Sequence, residues 1–333
     1  MLIACGGTTT PRADQLIDGG NDAALPDGAT GSQCVSGAPI ILASGQNYPE
    51  RIALDANYVY FSNRGSDLQP DGSIVRVPKV GGAPEVLVPG IVNPTALIVD
   101  ADTIYFDARG LGQGAFGTFD SVPKTGGTPV GLTADDAWAF ALDGESLFYA
   151  MQSAIAMRQL PGGNVVTLAS DNDSPSGLAI DKNNVYVAMF GGSIVWLPRT
   201  GGSLTTLATD QNQPTGVAVD DAYVYWTNQS NPVGGSVARA PKSGGAVTTL
   251  AQNQDNPQSL VVDDTYVYWV NLGPGLSYTQ GSVMKAPKTG GTPTTISSPE
   301  AGPSMIVQDA TSIYWVTRGN YKKSDGTVSK ACK

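Results

Sequence analysis

One phrase of about forty residues recurs seven times along this chain, its register marked by Asp55, Asp100, Asp143, Asp181, Asp220, Asp263 and Asp309. The fifth copy reads PTGVAVDDAYVYWTN, then GSVARAPK, then SGGAVTTLA. Such a period marks a stacked array, because one unit of this size cannot bury its own apolar surface and must pack on its neighbours. Six residues before the marker stands a proline in six copies: Pro49, Pro94, Pro175, Pro214, Pro257 and Pro303, with Ala137 in the third. Five residues after it stands an aromatic in all seven: Tyr60, Tyr105, Phe148, Tyr186, Tyr225, Tyr268 and Tyr314. The stretches between are short, rich in β-branched or small residues and punctuated by glycine pairs, which predicts strands rather than helices. Each copy gives four, in the fifth 216–219, 224–227, 236–240 and 247–250. Four-stranded units packed radially cover each other's faces and leave only short outer edges. The expected fold is therefore all-β, a seven-bladed β-propeller.

Three copies carry a further signature. Tyr225-Trp226-Thr227-Asn228, Tyr268-Trp269-Val270-Asn271 and Tyr60-Phe61-Ser62-Asn63 resemble the YWTD-type propeller repeat of low-density lipoprotein receptors. The chain departs from that pattern in ending the motif on Asn instead of Asp and in having seven copies where six are usual. The resemblance implies a propeller and carries no ligand with it.

The two ends of the array are complementary. Glycine pairs from Gly81-Gly82 to Gly290-Gly291 join third and fourth strands in six copies, whereas the seventh ends at Cys332 before such a turn. Its missing fourth strand is at the other end, where Pro39-Ile40-Ile41-Leu42 matches Pro84-Glu85-Val86-Leu87. The N-terminal strand is thus expected to complete the last blade, within a propeller domain spanning 34–333. Cys34 and Cys332 then flank the absent turn, where a disulfide would replace the covalent connection. A disulfide implies an oxidising, exported setting and leaves Cys5 as the odd cysteine.

Composition removes several classes of function. The 333 residues carry a net charge of −10, so a nucleic-acid partner lacks its basic field. The chain has no histidine, which excludes histidine-activated nucleophiles, histidine general bases and histidine-ligated zinc. No apolar run approaches the roughly twenty residues of a membrane span. Leu2-Ile3-Ala4-Cys5 resembles the lipobox of bacterial lipoproteins, in which the cysteine is acylated. Residues 1–5 are accordingly expected to be a signal-peptide remnant with Cys5 lipidated, and 6–33, rich in Gly, Asp, Ala and Thr, a flexible tether. The expected setting is an exported periplasmic or cell-surface lipoprotein, monomeric, meeting the membrane only through that anchor.

Most repeated residues have scaffold roles. The marker aspartates should cap the turn after each first strand. The recurrent Tyr and Trp alternate with Val and should form the core. Lys79, Lys124, Arg199, Lys242 and Lys288, beside the glycine turns, are expected at solvated hairpin corners.

Function is sought where the pattern breaks. The loops between second and third strands are long in blades one, two, six and seven and short in three and four, and they share one face with the blade-to-blade connections. On that face Arg64, Arg109 and Arg318 each precede a glycine nine residues after the marker. Closure makes their blades neighbours, so they should converge, with Arg51, on an anionic ligand group; pairing with Glu50, Asp67 and Asp107 is the alternative. Trp138, Met151, Met189 and Phe190 offer apolar surface across the opening, and Gln213, Asn228, Gln229 and Asn271 offer amides. The leading expectation is a non-enzymatic propeller that binds a protein, peptide or acidic glycan without a cofactor. A calcium-assisted lactonase or lyase, resembling the gluconolactonases and using carboxylates such as Glu50, Asp136, Asp173, Asp255 and Glu300, is the second; a structural cell-surface module is the third.

Overall fold

The computed structural model describes residues 37–66, 69–108, 117–133, 137–151, 153–160, 162–170, 173–229, 234–274, 278–320 and 323–333, with the side chains of positions 133 and 138 outside that description. Its 28 strands form seven four-stranded antiparallel sheets. Blade 1 is typical, running outward through β2 (Pro49–Leu54), β3 (Tyr58–Asn63), β4 (Gly72–Pro78) and β5 (Glu85–Ile91). The inner strands of blades 2 to 6 are β6 (Pro94–Val99), β10 (Ala137–Asp143), β14 (Pro175–Ile180), β18 (Pro214–Val219) and β22 (Pro257–Val262). The strands of blade 5 reach a few residues beyond their sequence-based bounds, its outer strand running Thr248–Gln254.

Blade 7 closes the ring as the sequence required. Its inner strands β26 (Pro303–Gln308), β27 (Ser312–Thr317) and β28 (Gly326–Cys332) are completed by β1 (Ile40–Gln46), which pairs with β28 antiparallel from Ile40 opposite Lys330 to Gln46 opposite Gly326. Cys332 is disulfide-bonded. Cys34 and Cys5, the tether 6–33 and the segment 1–5 lie outside the described residues.

The core lies between blades. Ala53, Tyr60, Ile74 and Leu87 of blade 1 pack on Leu97, Ile104, Phe106 and Val122 of blade 2 in one cluster, and the pattern repeats around the ring. Trp226, Trp269 and Trp315 are fully buried. Glycine is demanded where blades approach most closely: a Cβ on Gly177 would sit 1.9 Å from the Thr215 carbonyl oxygen of the next blade. The paired glycines of the outer turns serve another need, as Gly81 and Gly82 hold φ of 91° and 145°.

The marker aspartates cap their turns in six blades. Asp55 Oδ1 accepts from the backbone N–H groups of Asn57 and Tyr58, and its Oδ2 accepts the Tyr60 hydroxyl at 2.8 Å. Asp143 differs: it is the last paired residue of β10, opposite Ser146 across a turn at Gly144, and the aromatic five residues on is Phe148, which has no hydroxyl to give.

The repeated cations are not solvated corners. Lys124 of blade 2 reaches back to Asp55 of blade 1 at 3.0 Å, Lys79 to Asp309 at 2.9 Å, Arg199 to Asp143 at 2.6 Å and Lys242 to Asp181 at 2.7 Å. Lys288 pairs with Asp220, and Lys333 stands 3.8 Å from Asp263. Each of the first four also lies over an aromatic ring of the preceding blade, between 4.7 and 5.5 Å from the ring centre. A lysine at a hairpin corner reads as solvated because its own blade offers no partner; the partner comes from the blade before.

One seam is built differently. At the position that Lys79 holds in blade 1, blade 3 has Leu160, whose backbone N–H makes the equivalent bond to Glu145 but whose side chain is buried in the core. Between blades 2 and 3 the sheets are joined instead by stacked rings, Tyr105 on Phe119, Phe119 on Phe140 and Phe140 on Tyr149, with centroids 5.2 to 6.2 Å apart.

The clamps set the pH range of stability. Burial by itself would raise the carboxyl pKa of Asp55, Asp181, Asp220 and Asp309, but the turn N–H groups, the tyrosine hydroxyl and the ammonium outweigh it and hold all four below 3.8. Stability from a depressed carboxyl is present above its unfolded value and lost as pH falls through the folded one. At the other end, burial and the neighbouring carboxylate push Tyr105 and Tyr186 up to about 12. Their contribution is present below the ordinary tyrosine value near 10 and is lost as pH rises through it toward 12. Denaturant midpoints measured against pH should therefore be flat between about 4 and 10 and fall on both sides. A midpoint that drops steadily from pH 7 to 5 would contradict the clamps.

Candidate functional site on the loop face

Short turns and clamps occupy one face, and the large variation in length occupies the other. The second and third strands of blade 1 are separated by the stretch from Asn63 to Gly72 and those of blade 7 by Thr317 to Gly326, whereas blade 3 turns between Met151 and Ala154 and blade 4 between Met189 and Ser193. The inner strands also start on this face, so the first residues of each line the mouth of the central channel.

Two rings of equivalent positions define that mouth. The first follows the conserved-spacing proline or its counterpart Ala137: Glu50, Thr95, Trp138, Ser176, Thr215, Gln258 and Ser304. Its small hydroxyls tie blade to blade: Ser176 donates to Pro214 O at 2.6 Å and Ser304 to Glu50 O at 3.1 Å, while Thr95 donates within its blade to the buried carboxylate of Asp107 at 2.6 Å. The second ring is one residue further: Arg51, Ala96, Ala139, Gly177, Gly216, Ser259 and Met305. All seven line a channel cavity of about 220 Å³, together with Leu97, Phe140, Leu178 and Leu260. Among the described residues lining it Arg51 is the charged one, and its Nε–H donates to the Thr95 carbonyl of blade 2. Small residues at five of the positions leave the cavity open, and Met305 and Arg51 each fill part of it. The repeat alignment alone could have exposed this anomaly.

At the seam of blades 7 and 1 the structure brings Arg64 and Arg318 together. Both are committed to Glu50, Arg64 at 3.3 Å and Arg318 at 3.0 Å, and both guanidinium carbons lie 5.7 Å from the centre of the Tyr48 ring. Glu50 is 6% exposed. Its burial is sustained by two cations, and the local pairing weighed from sequence is what these two arginines do. Arg51 turns away from them into the channel. Arg109 lies outside the described residues.

The amides are interior. Asn228 and Asn271 are buried, and each donates to a glutamine at or just after the end of the preceding blade's outer strand and to a serine of its own third strand: Gln211 and Ser236 for one, Gln254 and Ser282 for the other. Asn63 repeats this with Gln46 and Ser73. The same glutamines accept the indole N–H of Trp226 and Trp269 at 2.8 and 3.1 Å. These side chains latch blades together. A carboxylate at the asparagine position has no N–H for the serine and glutamine oxygens, which gives the Asn of this repeat its structural use. The sequence placed these asparagines at a strand end, and only the packing of the next blade showed what they reach.

Of the apolar candidates, Phe190 is exposed on the short hairpin of blade 4, Met189 is fully buried and Met151 is half-buried against the core. The side chain of Trp138 lies outside the described residues, as does Asp136. Among the described residues no three carboxylate or cysteine groups gather as a metal site.

No protein-family model matches the chain, and no curated protein matches it. Similar solved structures include the WD40 β-propeller domain of Doa1, 12% identical with a TM-score of 0.67 over 89% of this chain and 97% of that one. The computationally designed Ika8 protein is 13% identical, with a TM-score of 0.58 over 86% and 98%. A chain of the nidogen/laminin complex is 17% identical, with a TM-score of 0.51 over 64% and 84%. At these identities the likeness is one of fold.

Proposed function

We propose that this propeller is a recognition scaffold without an enzymatic role, which binds a protein or peptide partner on its loop face. The observation that carries the reading is the division of the surface: one face repeats the clamp and turn at most seams, while the other gathers the longest strand-to-strand separations, the channel mouth and the exposed Phe190. Binding residues ride on variable loops over a rigid frame, and an exposed aromatic is a common anchor in protein interfaces. Nidogen, which shares the fold, was solved in complex with another protein. Kinship with YWTD-type propellers belongs to the same proposal. An acidic glycan is the weaker partner, since Arg64 and Arg318 are both engaged with Glu50. The setting is an exported monomer anchored through Cys5, with Cys332 joined to Cys34.

A photo-crosslinking amino acid placed at Phe190 on the loop face and, separately, at Val80 on the turn face tests this. Val80 is the more exposed of the two, at 77% against 41%. In native envelope, a discrete crosslinked product is expected from position 190 and none from position 80. Products from position 80 alone would overturn the assignment of faces.

A further inference from the structure

We infer that the rim of the propeller carries a second, independent site, where Arg239, at the seam of blades 5 and 6, takes a carboxylate from an acidic stretch of a polypeptide partner. One position of the third strand, opposite the clamp tyrosine, holds a cation in four blades that follow one another round the ring: Arg239 opposite Tyr225, Lys285 opposite Tyr268, Lys330 opposite Tyr314 and Arg76 opposite Tyr60. In blade 1 the neighbour of that cation on the outer strand is Glu85, and the Arg76 Nε and Nη2 both stand 2.8 Å from its Oε2. In blades 5, 6 and 7 the neighbour is Thr248, Thr294 and Ile40. Among the described residues none of these three cations is paired with a carboxylate.

The Arg239 guanidinium lies over the Tyr223 ring, 4.1 Å from its centre, and beside the Tyr225 hydroxyl, as that of Arg76 lies over Tyr58 at 4.6 Å and beside the Tyr60 hydroxyl. Arg76 gives its Nε–H to Glu85, whereas the Arg239 Nε is buried with no hydrogen-bond partner among the described residues. A buried donor left so is costly, and a guanidinium stacked by its face keeps its edge for a planar acceptor. The outer strand of blade 5 ends its sheet, and Thr248 and Thr249 on it are exposed, so nothing in the sheet covers the approach. The Asp220 and Asp263 carboxylates of these blades are committed to Lys288, to Lys333 and to their own turns. Lys285, over Tyr266, and Lys330, over Tyr314 and bonded to the Lys79 carbonyl, carry the positive charge into the next two seams. Such a row matches several carboxylates on one chain. Glu85 indicates their kind, because in blade 1 a glutamate borne on an extended strand fits this position.

Fluorescence anisotropy of labelled hexaglutamate titrated with the intact chain tests the site, with unlabelled hexaglutamine, N-acetylglutamate and heparin as competitors. Hexaglutamate should bind saturably, hexaglutamine should not displace it, and N-acetylglutamate should do so at least about tenfold less readily than unlabelled hexaglutamate. Arg239→Gln should weaken binding by at least about tenfold. Thr248→Glu, which keeps the arginine and supplies the carboxylate that blade 1 has, should weaken it comparably, and Arg76→Gln should leave it unchanged. Circular dichroism establishes that the variants are folded. The inference is overturned if hexaglutamate does not bind, if hexaglutamine or N-acetylglutamate displaces it as readily as unlabelled hexaglutamate does, if Arg239→Gln or Thr248→Glu binds as the unaltered protein does, or if Arg76→Gln weakens binding as much. Heparin bound through Arg239 without hexaglutamate binding would overturn it in favour of a sulfated polysaccharide. None of these outcomes touches the crosslinking at position 190, so this site and the loop-face reading stand or fall separately.

Discussion

Trp269→Ala should cost about 4 kcal/mol of unfolding free energy, the range for truncating a fully buried large aromatic. Trp269 has no exposed surface and packs in the cluster that joins blade 5, through Tyr225, Val237 and Leu250, to Leu260 and Val267 of blade 6. Its indole N–H donates both to Gln254 at the end of the preceding blade's outer strand and to Asn271 two residues on. Truncation opens a cavity at the seam and leaves the amide latch without its central donor. Trp269→Phe separates the two effects, since it restores most of the volume and none of the hydrogen bonding, and it should recover more than half of the loss. Urea unfolding followed by tryptophan fluorescence measures both; a loss under about 1 kcal/mol for the alanine variant would show that the seam is not the core of this fold.

Cys332→Ser is expected to be comparably severe, at about 5 kcal/mol in the chain-entropy model for a bond closing so long a loop. Cys332 ends β28, the strand to which the N-terminal strand β1 adds, so in the proposed pairing with Cys34 its disulfide would hold the join where the ring has no continuous chain. Reducing agent should lower the denaturant midpoint of the unaltered protein by the same amount and leave the variant unchanged. Cys34→Ser should match Cys332→Ser, and the double variant should lose no more than either alone, because both remove one bond. Cys5→Ser should leave the midpoint where it was. Destabilisation by Cys5→Ser in place of Cys34→Ser would reassign the partner.

Much of the propeller was legible in residue spacing because each blade is local. The marker aspartate, the aromatic five residues on and the glycine pair all act within about forty residues of chain, so one repeat determines one sheet and the count of repeats determines the ring. Closure was equally legible, since a seventh copy without its fourth strand and a spare strand at the other end admit one pairing. The cations were misread for the complementary reason. Lys79, Lys124 and Lys242 stand at corners of their own blades, and their carboxylate partners Asp309, Asp55 and Asp181 belong to others. The third copy gave a partial signal, as its Phe148 and Leu160 depart from the repeat where the clamp chemistry departs too.

The candidate site was legible only in outline. Loop length pointed to the correct face, and the recurrence of Arg-Gly pointed to Arg64 and Arg318 as neighbours. That both arginines turn onto Glu50 while the adjacent Arg51 turns into the channel follows from strand alternation at the mouth of β2 together with the approach of β6 and β26, which fixes which side of each inner strand faces the axis. Asn228 and Asn271, read as ligand-facing amides, are drawn inward by glutamines at or just after the end of the preceding blade's outer strand. The chain by itself thus determined the blades, their number and their closure, which depend on short-range periodicity. The clamps, the latches and the turn of Arg51 into the channel were decided by how one sheet packs on the next, because such contacts depend on the angle and distance between blades and leave no periodic trace within any one of them.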